Sequence, residues 1–376
     1  MKSNPYVYPS KDFFDLENKN FKNNLFGQKK IALKDVKKTI DKIKIPSISL
    51  SGKKTEEKIL NLFLSEEIRF GEKSLLLDYK DFWLKKINYF VKKNKPLQFT
   101  ILGFPFKVPL PLKTNRILPD MGEVLSLARL RAIGLFIRQN IYSPGAVINV
   151  FSEGSFGRFI GVKEEKVKKY EKHLKFLAEK LAIEDILKIR FLSGMEKDER
   201  FFDLFEKRKR ENSQALKNKN SQFMKKFRGA YPSVFRIVDA TMYSKEILMQ
   251  VYDGKIKDEN LLPRARAARK DIAKRTKKAL IEYFAYLSVR DDLNFLEKSI
   301  PHYLALSVSP KPYRLGIIPV NKKIKILPYH GVPVFDEKTE SWDIVYLVDL
   351  ERKNERYKKA ILKEENEKAP FYYQKF

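Results

Sequence analysis

Residues 98–154, QFTILGFPFKVPLPLKTNRILPDMGEVLSLARLRAIGLFIRQNIYSPGAVINVFSEG, decide the fold. QFTILGF (98–104) is a β-rich run that enters FPFKVPLPLK (104–113), where Pro105, Pro109 and Pro111 forbid a helix, so a strand feeds a stiffened loop. Asp120 then stands before a helical run over 121–140 with Glu123 three residues on, the D-x-x-E form of a capping box. Val124, Leu127, Leu130, Ile133 and Ile137 recur along that run and predict a mostly buried helix. A Tyr-Ser-Pro-Gly turn (142–145) leads to AVINVF (146–151), β-branched and too short for a helix, and then to the turn SEG (152–154). The unit is strand, loop, helix, turn, strand. A crossover between parallel strands is right-handed in nearly all cases, and a parallel sheet takes helices on both faces.

Working outward, an amphipathic helix near 164–181 and a strand at 186–192 extend the alternation. Three such repeats predict an α/β fold: a Rossmann-like, doubly wound, mainly parallel sheet with helices on both faces. Upstream, Ile59, Leu60, Phe63 and Leu64, and then Phe82, Ile87, Phe90 and Val91 before Pro96, mark two core-facing helices. Residues 1–55 are Lys/Asn-rich and read as an N-terminal arm or peripheral segment; 56–350 read as the catalytic domain and 351–376 as a charged C-terminal tail. Within the domain, 207–228 carry many basic residues with almost no apolar periodicity and read as a mobile basic loop. A long amphipathic helix is expected over about 265–288, with Ile272, Ala279, Leu280, Phe284 and Leu287 on one face. The short runs 303–309, 313–320, 330–336 and 342–350 predict antiparallel β additions to the same sheet.

Composition limits the chemistry. Hydrophobic residues at 43% and aromatics at 13% are the content of a packed chain, so a core is expected across its 376 residues. There is no cysteine, which excludes disulfides, thiolate metal sites and cysteine nucleophiles together. The three histidines, His173, His302 and His330, show no HxxxH or HxH spacing, and no metal site is expected. The first twenty residues lack the apolar stretch of a signal peptide and no run approaches a membrane span, so a cytoplasmic protein without a membrane partner is expected. A formal charge of +30 has three readings: phosphate contacts of a nucleic-acid partner, attraction of anionic substrates, or a lysine bias in solvated helix faces.

In an open α/β sheet ligands sit beyond the carboxyl ends of the strands. Three segments meet that condition. Lys107 and Lys113 lie on the proline-rich loop, either pre-positioned for an anion or simply on the surface. Asp120 and Glu123 are either general bases or a helix cap. Ser152, Glu153 and the Gly154 backbone stand at a strand end, where a functional carboxylate and a plain turn are equally good readings. His330, in the Pro/Gly-framed PYHG (328–331), could act as acid or base, whereas His173 reads as a surface residue of a lysine-rich helix. No Walker loop, G-x-G-x-x-G, G-x-S-x-G or kinase signature occurs, and the glycines of GSFGRFIG (154–161) lack dinucleotide spacing.

In order along the chain, FPFKVPLPLK, PDMGEVLSLARL, IYSPGAVINVFSEGSFGRFIGV with Tyr170 beyond it, YLALSVSP, YRLGIIP and PYHGVPV resemble the successive blocks of the pyoverdine/dityrosine biosynthesis family, which includes the isocyanide synthases. The resemblance runs over about 56–350. It implies an enzyme of secondary metabolism that turns the amino group of an aromatic L-amino acid into an isocyanide, with ribulose 5-phosphate as co-substrate and no cofactor. It also implies, as a partner in the same pathway, a downstream iron/2-oxoglutarate oxygenase. Lys107 and Lys113 match the family's loop lysines and would neutralise the phosphate; Asp120, Glu123, Glu153 and His330 match its acids and late histidine; Ser152, Arg158, Ser307 and Arg314 complete the binding set. This chain departs from the family where Glu153 replaces an aspartate, Arg158 replaces an acid, and Ala305 and Ser309 stand where the family has arginine and histidine. Arg314 or Arg158 is then the candidate substitute for the missing arginine. Two alternatives remain open: a diverged member that binds an amino acid or phosphorylated metabolite without the family reaction, and a nucleic-acid-binding protein using the basic charge.

Overall fold

The computed structural model describes residues 25–48, 50–107, 113–242, 261–308, 311–352, 355–365 and 369–376. The expected positions Pro109, Pro111 and Ser309, and residues 1–24, lie outside these. LQFTILG and AVINVFS are nearly continuous apolar runs because the strands they form are covered on both faces. They are β2 (Leu97–Gly103) and β3 (Ala146–Ser152), parallel and in register from Leu97 opposite Ala146 to Gly103 opposite Ser152. β4 (Leu187–Phe191) extends the sheet beyond β3, while β5 (Leu304–Ser307) and β6 (Leu315–Gly316) extend it on the far side of β2. The order β4-β3-β2-β5-β6 is wholly parallel, and growth of the sheet reverses between β2 and β5. That reversal opens a crevice at the carboxyl ends of β2, β3 and β5.

Five helices accompany this sheet: α1 (Leu33–Asp41), α2 (Thr55–Leu64), α3 (Lys80–Lys92), α4 (Met121–Asn140) and α5 (Glu164–Lys180). Every residue of α4 from Met121 to Leu130 is buried, as its apolar content predicts. Gly134 lets α4 approach the loop before β4, since a Cβ there would lie 2.3 Å from Ile186. At the start of α4 the predicted capping box forms: Gly122 N–H donates to Asp120 at 2.8 Å and Asp120 N–H donates to Glu123 at 2.9 Å. These bonds satisfy backbone donors that the first helical turn would otherwise leave unpaired.

The carboxy-terminal strands divide differently from expectation. β5 and β6 are parallel members of the first sheet, whereas β7 (Val332–Asp336) and β8 (Ser341–Val345) are an antiparallel pair in a second one. That sheet has the order β1-β9-β10-β7-β8, with β1 (Leu25–Ile31), β9 (Tyr357–Leu362) and β10 (Tyr372–Lys375). The expected charged tail therefore supplies two strands with buried Tyr357, Ala360, Leu362 and Tyr373 alternating among its lysines. The expected arm, from Leu25 onward, supplies an edge strand parallel to β9. A buried Glu365 anchors this region, pairing with Arg116 and with His173 Nε2 at 2.5 Å, so His173 is a partner of the C-terminal segment and not a free surface residue.

The basic stretch 207–228 is helical, not a loop. It covers the end of α6 (Phe201–Lys217) and the start of α7 (Ser221–Met242), both packed on α8 (Leu261–Asp292). Phe201, Leu204 and Phe205 anchor it from before the charged window and Val234 and Val238 from after it, while within it Phe227 is buried and Leu216 and Phe223 pack on the core. Polar side chains add to this, with Arg208 Nε on Asp292 at 2.7 Å and Asn212 donating to the Ile281 carbonyl at 3.1 Å. No helix among the described residues is long and apolar enough to cross a membrane.

Candidate functional site

The loop that leaves β2 turns back at Phe104, whose φ of +49° is rare for a bulky residue. It sends the Lys107 side chain into the protein, at 1% exposure, where Nζ pairs with Asp120 and lies 3.1 Å from Glu123 Oε2. Tyr170 on α5 donates to the other Glu123 oxygen at 3.2 Å. One ammonium, two carboxyls and a phenol thus form a closed, dry network. Burial, reinforced by the adjacent Glu123 carboxylate and opposed by Lys107, pushes the Asp120 carboxyl well above its usual range. Burial and the same Glu123 also raise the Tyr170 phenol far above its ordinary value. Lys107 is held by the two carboxyls and is not among the residues that line the cavity described next. Asp120 and Glu123 form the helix cap.

Beside this network lies a cavity of about 220 Å³ at the carboxyl ends of β2 and β3. The β2 loop gives it Phe106 and Lys113, the turn after β3 gives Glu153 and Phe156, and the PYHG segment gives Tyr329 and His330. α7 contributes Ala230, Ser233, Val234 and Ile237, and α8 contributes Tyr283, whose ring centroid is 4.2 Å from that of Phe156. Most of the wall is aromatic or aliphatic, with a few polar points. Three expected residues, Lys113, Glu153 and His330, therefore meet in one pocket.

Their protonation is set by that setting. Burial raises the Glu153 carboxyl, partly offset by the positive charges of Arg290, Lys311 and Arg314. His330 is lowered to about 3 by burial and then by the charges of Lys113 and Lys107, so it is a neutral imidazole at neutral pH. Burial likewise raises the phenols of Tyr283 and Tyr329, with Glu153 adding to both. Arg290 at the end of α8, paired with Asp291 at 2.7 Å, and Lys311 and Arg314 from the β5–β6 connection are the cations that act on Glu153. Burial and the nearby Arg290 lower the Arg314 guanidinium, and burial followed by Arg314 lowers the Lys311 ammonium. Like charges crowded in this way around one carboxylate favour binding of an anion.

The other expected residues stand elsewhere. Ser152 is buried and donates to the Phe104 carbonyl at 2.8 Å. Arg158 turns outward onto Glu196, 3.0 Å away through Nη1. Ser307 is buried at the end of β5, where its carbonyl accepts from Ile317 N–H at 2.8 Å. Ala305 lies in β5 opposite Thr100. The sequence reading missed Ala230, Ser233, Tyr283, Arg290 and Lys311. Only Lys311 carried a readable signal, three residues before Arg314 on a loop after a strand. Among the described residues no group of His, Asp and Glu is placed to hold a metal ion.

Residues 87–358 match the family described as pyoverdine/dityrosine biosynthesis protein. An L-tryptophan isonitrile synthase of Fischerella ambigua is 26% identical over 68% of this chain and 73% of its own. An L-tyrosine isonitrile synthase of Pseudomonas aeruginosa is 25% identical over 68% and 74%. The crystal structure of the PvcA protein from Pseudomonas aeruginosa superposes with a TM-score of 0.62, covering 84% of this chain and 99% of that one at 18% identity. The chain belongs to the pyoverdine/dityrosine biosynthesis family.

Proposed function

We propose that this member of the pyoverdine/dityrosine biosynthesis family is an isonitrile synthase that converts the amino group of an aromatic L-amino acid to an isocyanide, taking the carbon from ribulose 5-phosphate. The observation that carries the reading is the cavity itself. Its walls of Phe106, Phe156, Val234, Ile237 and Tyr283 suit an aromatic side chain, and its polar residues, Glu153, Lys113 and His330, face the same space. Relatives named as isonitrile synthases for tryptophan and for tyrosine support the substrate class.

Condensing an amine with a ketone expels water and needs a proton delivered to the departing oxygen and one removed from nitrogen. In this reading Glu153, raised by burial, delivers the first and as the resulting carboxylate takes the second, while the neutral His330 imidazole orients the amine by hydrogen bonding. The phosphate dianion lies toward Arg290, Lys311 and Arg314, which take the place expected of Lys107. Arg314 then substitutes for the arginine missing at Ala305. The test is incubation with tyrosine or tryptophan and ribulose 5-phosphate, with mass spectrometry for the isocyanide. Product with either amino acid is the expected result, and none with any aromatic amino acid refutes it. Binding of both substrates without product would instead establish the diverged, non-synthase alternative, which the Ala305 and Ser309 departures motivate.

A further inference from the structure

Ser152 has one hydroxyl proton and two oxygen neighbours: the Phe104 carbonyl at 2.8 Å and Glu171 Oε1 at 3.2 Å. The shorter contact is to the Phe104 carbonyl, which can only accept; with the single proton committed there, the serine oxygen faces Glu171 with lone pairs alone. A carboxylate there would meet those lone pairs with its own, whereas a carboxylic acid donates to them. We propose that Glu171, as the neutral acid, is a positioning residue that ties together the two loops of the site, donating through Ser152 to the Phe104 carbonyl, and that its ionisation loosens them. Both loops are in reach. Ser152 carries the bond to Phe104, the left-handed residue that starts the Lys107 loop, and the SEG turn bearing Glu153 lies directly against the acid, since a Cβ on Gly154 would come within 2.2 Å of Glu171 Oε1.

The surroundings favour the neutral form. Burial is the main cause that raises the Glu171 carboxyl to about 7, and the Glu196 carboxylate adds to it; Lys168, one turn earlier on α5, and the Ser152 contact oppose it. Glu196 is itself held by Arg158, by Tyr286, whose hydroxyl donates to it at 2.9 Å, and by Ser155 at 3.4 Å. Val167 completes the packing over Gly154. Glu171 lines neither the cavity nor the buried Lys107 network, so it acts on chemistry only through the loops.

Hydrogen exchange of the peptide carrying Phe104–Lys107 tests this without any substrate. Wild type, Glu171→Gln, Glu171→Ala and Ser152→Ala are compared with one another at each pH from 6 to 8, which cancels intrinsic exchange. Glutamine keeps a donor at every pH, so Glu171→Gln stays protected throughout, and wild type matches it at pH 6 but exchanges several-fold faster at pH 8. Glu171→Ala and Ser152→Ala exchange faster at both ends. Wild type and Glu171→Gln exchanging alike across the range, or Glu171→Gln as loose as Glu171→Ala, overturns the proposal. That the loops serve catalysis rests on the proposed synthase activity; if the synthase is active, kcat falls above pH 7 in wild type and not in Glu171→Gln, with KM little changed. An inactive protein with the predicted exchange pattern would refute the activity and leave the tie between the loops standing.

Discussion

Replacing Lys107 with methionine should destabilise the protein by an amount that depends steeply on pH. The ammonium serves two carboxyls, all three groups at 1% exposure or less. Removing it leaves nothing to compensate a charge there, and the pair must become neutral. Burial already favours the neutral form of Asp120, so the additional cost is protonation of one further carboxyl. From a reference pKa of about 4.3, neutralising a carboxyl at pH 7 costs about 2.7 units at 1.36 kcal/mol each, roughly 3.7 kcal/mol. That agrees with the ~3–5 kcal/mol typical when one partner of a buried ion pair is deleted. At pH 5 the same arithmetic gives about 1 kcal/mol. Urea denaturation of wild type and Lys107→Met at the two pH values measures both, and adding Asp120→Asn and Glu123→Gln to Lys107→Met should remove the pH dependence. A penalty equal at pH 5 and pH 7 would refute the reasoning, since it would trace the loss to packing and not to charge.

Three further outcomes follow from the geometry. Ala230→Phe places a ring in the cavity of about 220 Å³ and should lower kcat/KM for aromatic amino acids by about 100-fold or more while the fold persists, read by steady-state kinetics beside circular dichroism. Arg314→Gln should raise KM for ribulose 5-phosphate roughly 10- to 100-fold, the worth of a charge-assisted hydrogen bond, whereas Arg158→Gln, already paired with Glu196, should stay within about twofold; the reverse pattern would return the phosphate role to Arg158. For Glu171 the folded carboxyl titrates at about 7, above its unfolded value of about 4.3, so its contribution to stability is complete below the unfolded value, declines as pH rises between the two, and is flat above. Relative to Glu171→Gln, wild type should lose about 1 kcal/mol over that window after allowance for partial solvent contact, and equal pH profiles of the two in urea melts would refute it.

The parallel sheet was legible because β2, α4 and β3 each satisfy their own local rule: an apolar run of strand length, a capped and buried helix, a β-branched run between turns. The capping box could be read from Asp120 and Glu123 alone, because it is a contact between residues three apart. Residues 207–228 were not legible. Within them only Leu216, Phe223 and Phe227 are apolar anchors, too sparse among the charges to show a period, and the rest of their support comes from Phe201, Leu204 and Phe205 before the window, Val234 and Val238 after it, and polar contacts to α8 that are distant in sequence. Missing α7 also hid Ala230 and Ser233, so one wall of the cavity was lost with it. The strands β9 and β10 were obscured because their half-buried lysines, Lys358, Lys359 and Lys375, break the apolar alternation, leaving a charge pattern where two short strands lie.

The recognisable residues of the chain divide: Lys113, Glu153 and His330 line the cavity, and four others do not. Lys107, Asp120, Glu123 and Tyr170 are sealed together, and what they hold is the β2 loop, which carries Phe106 into the wall, and the start of α4. Such a network needs every member in place, because a buried charge without its partner is costly, although none of the four is among the residues that line the cavity. The lining residues answer to a looser requirement. An aromatic or aliphatic wall can be built from any helix that reaches the pocket, as α7 and α8 do here, and positive charge beside Glu153 can come from Arg290, Lys311 or Arg314 although β5 presents Ala305. Positive charge thus reaches Glu153 from the end of α8 and from the β5–β6 connection.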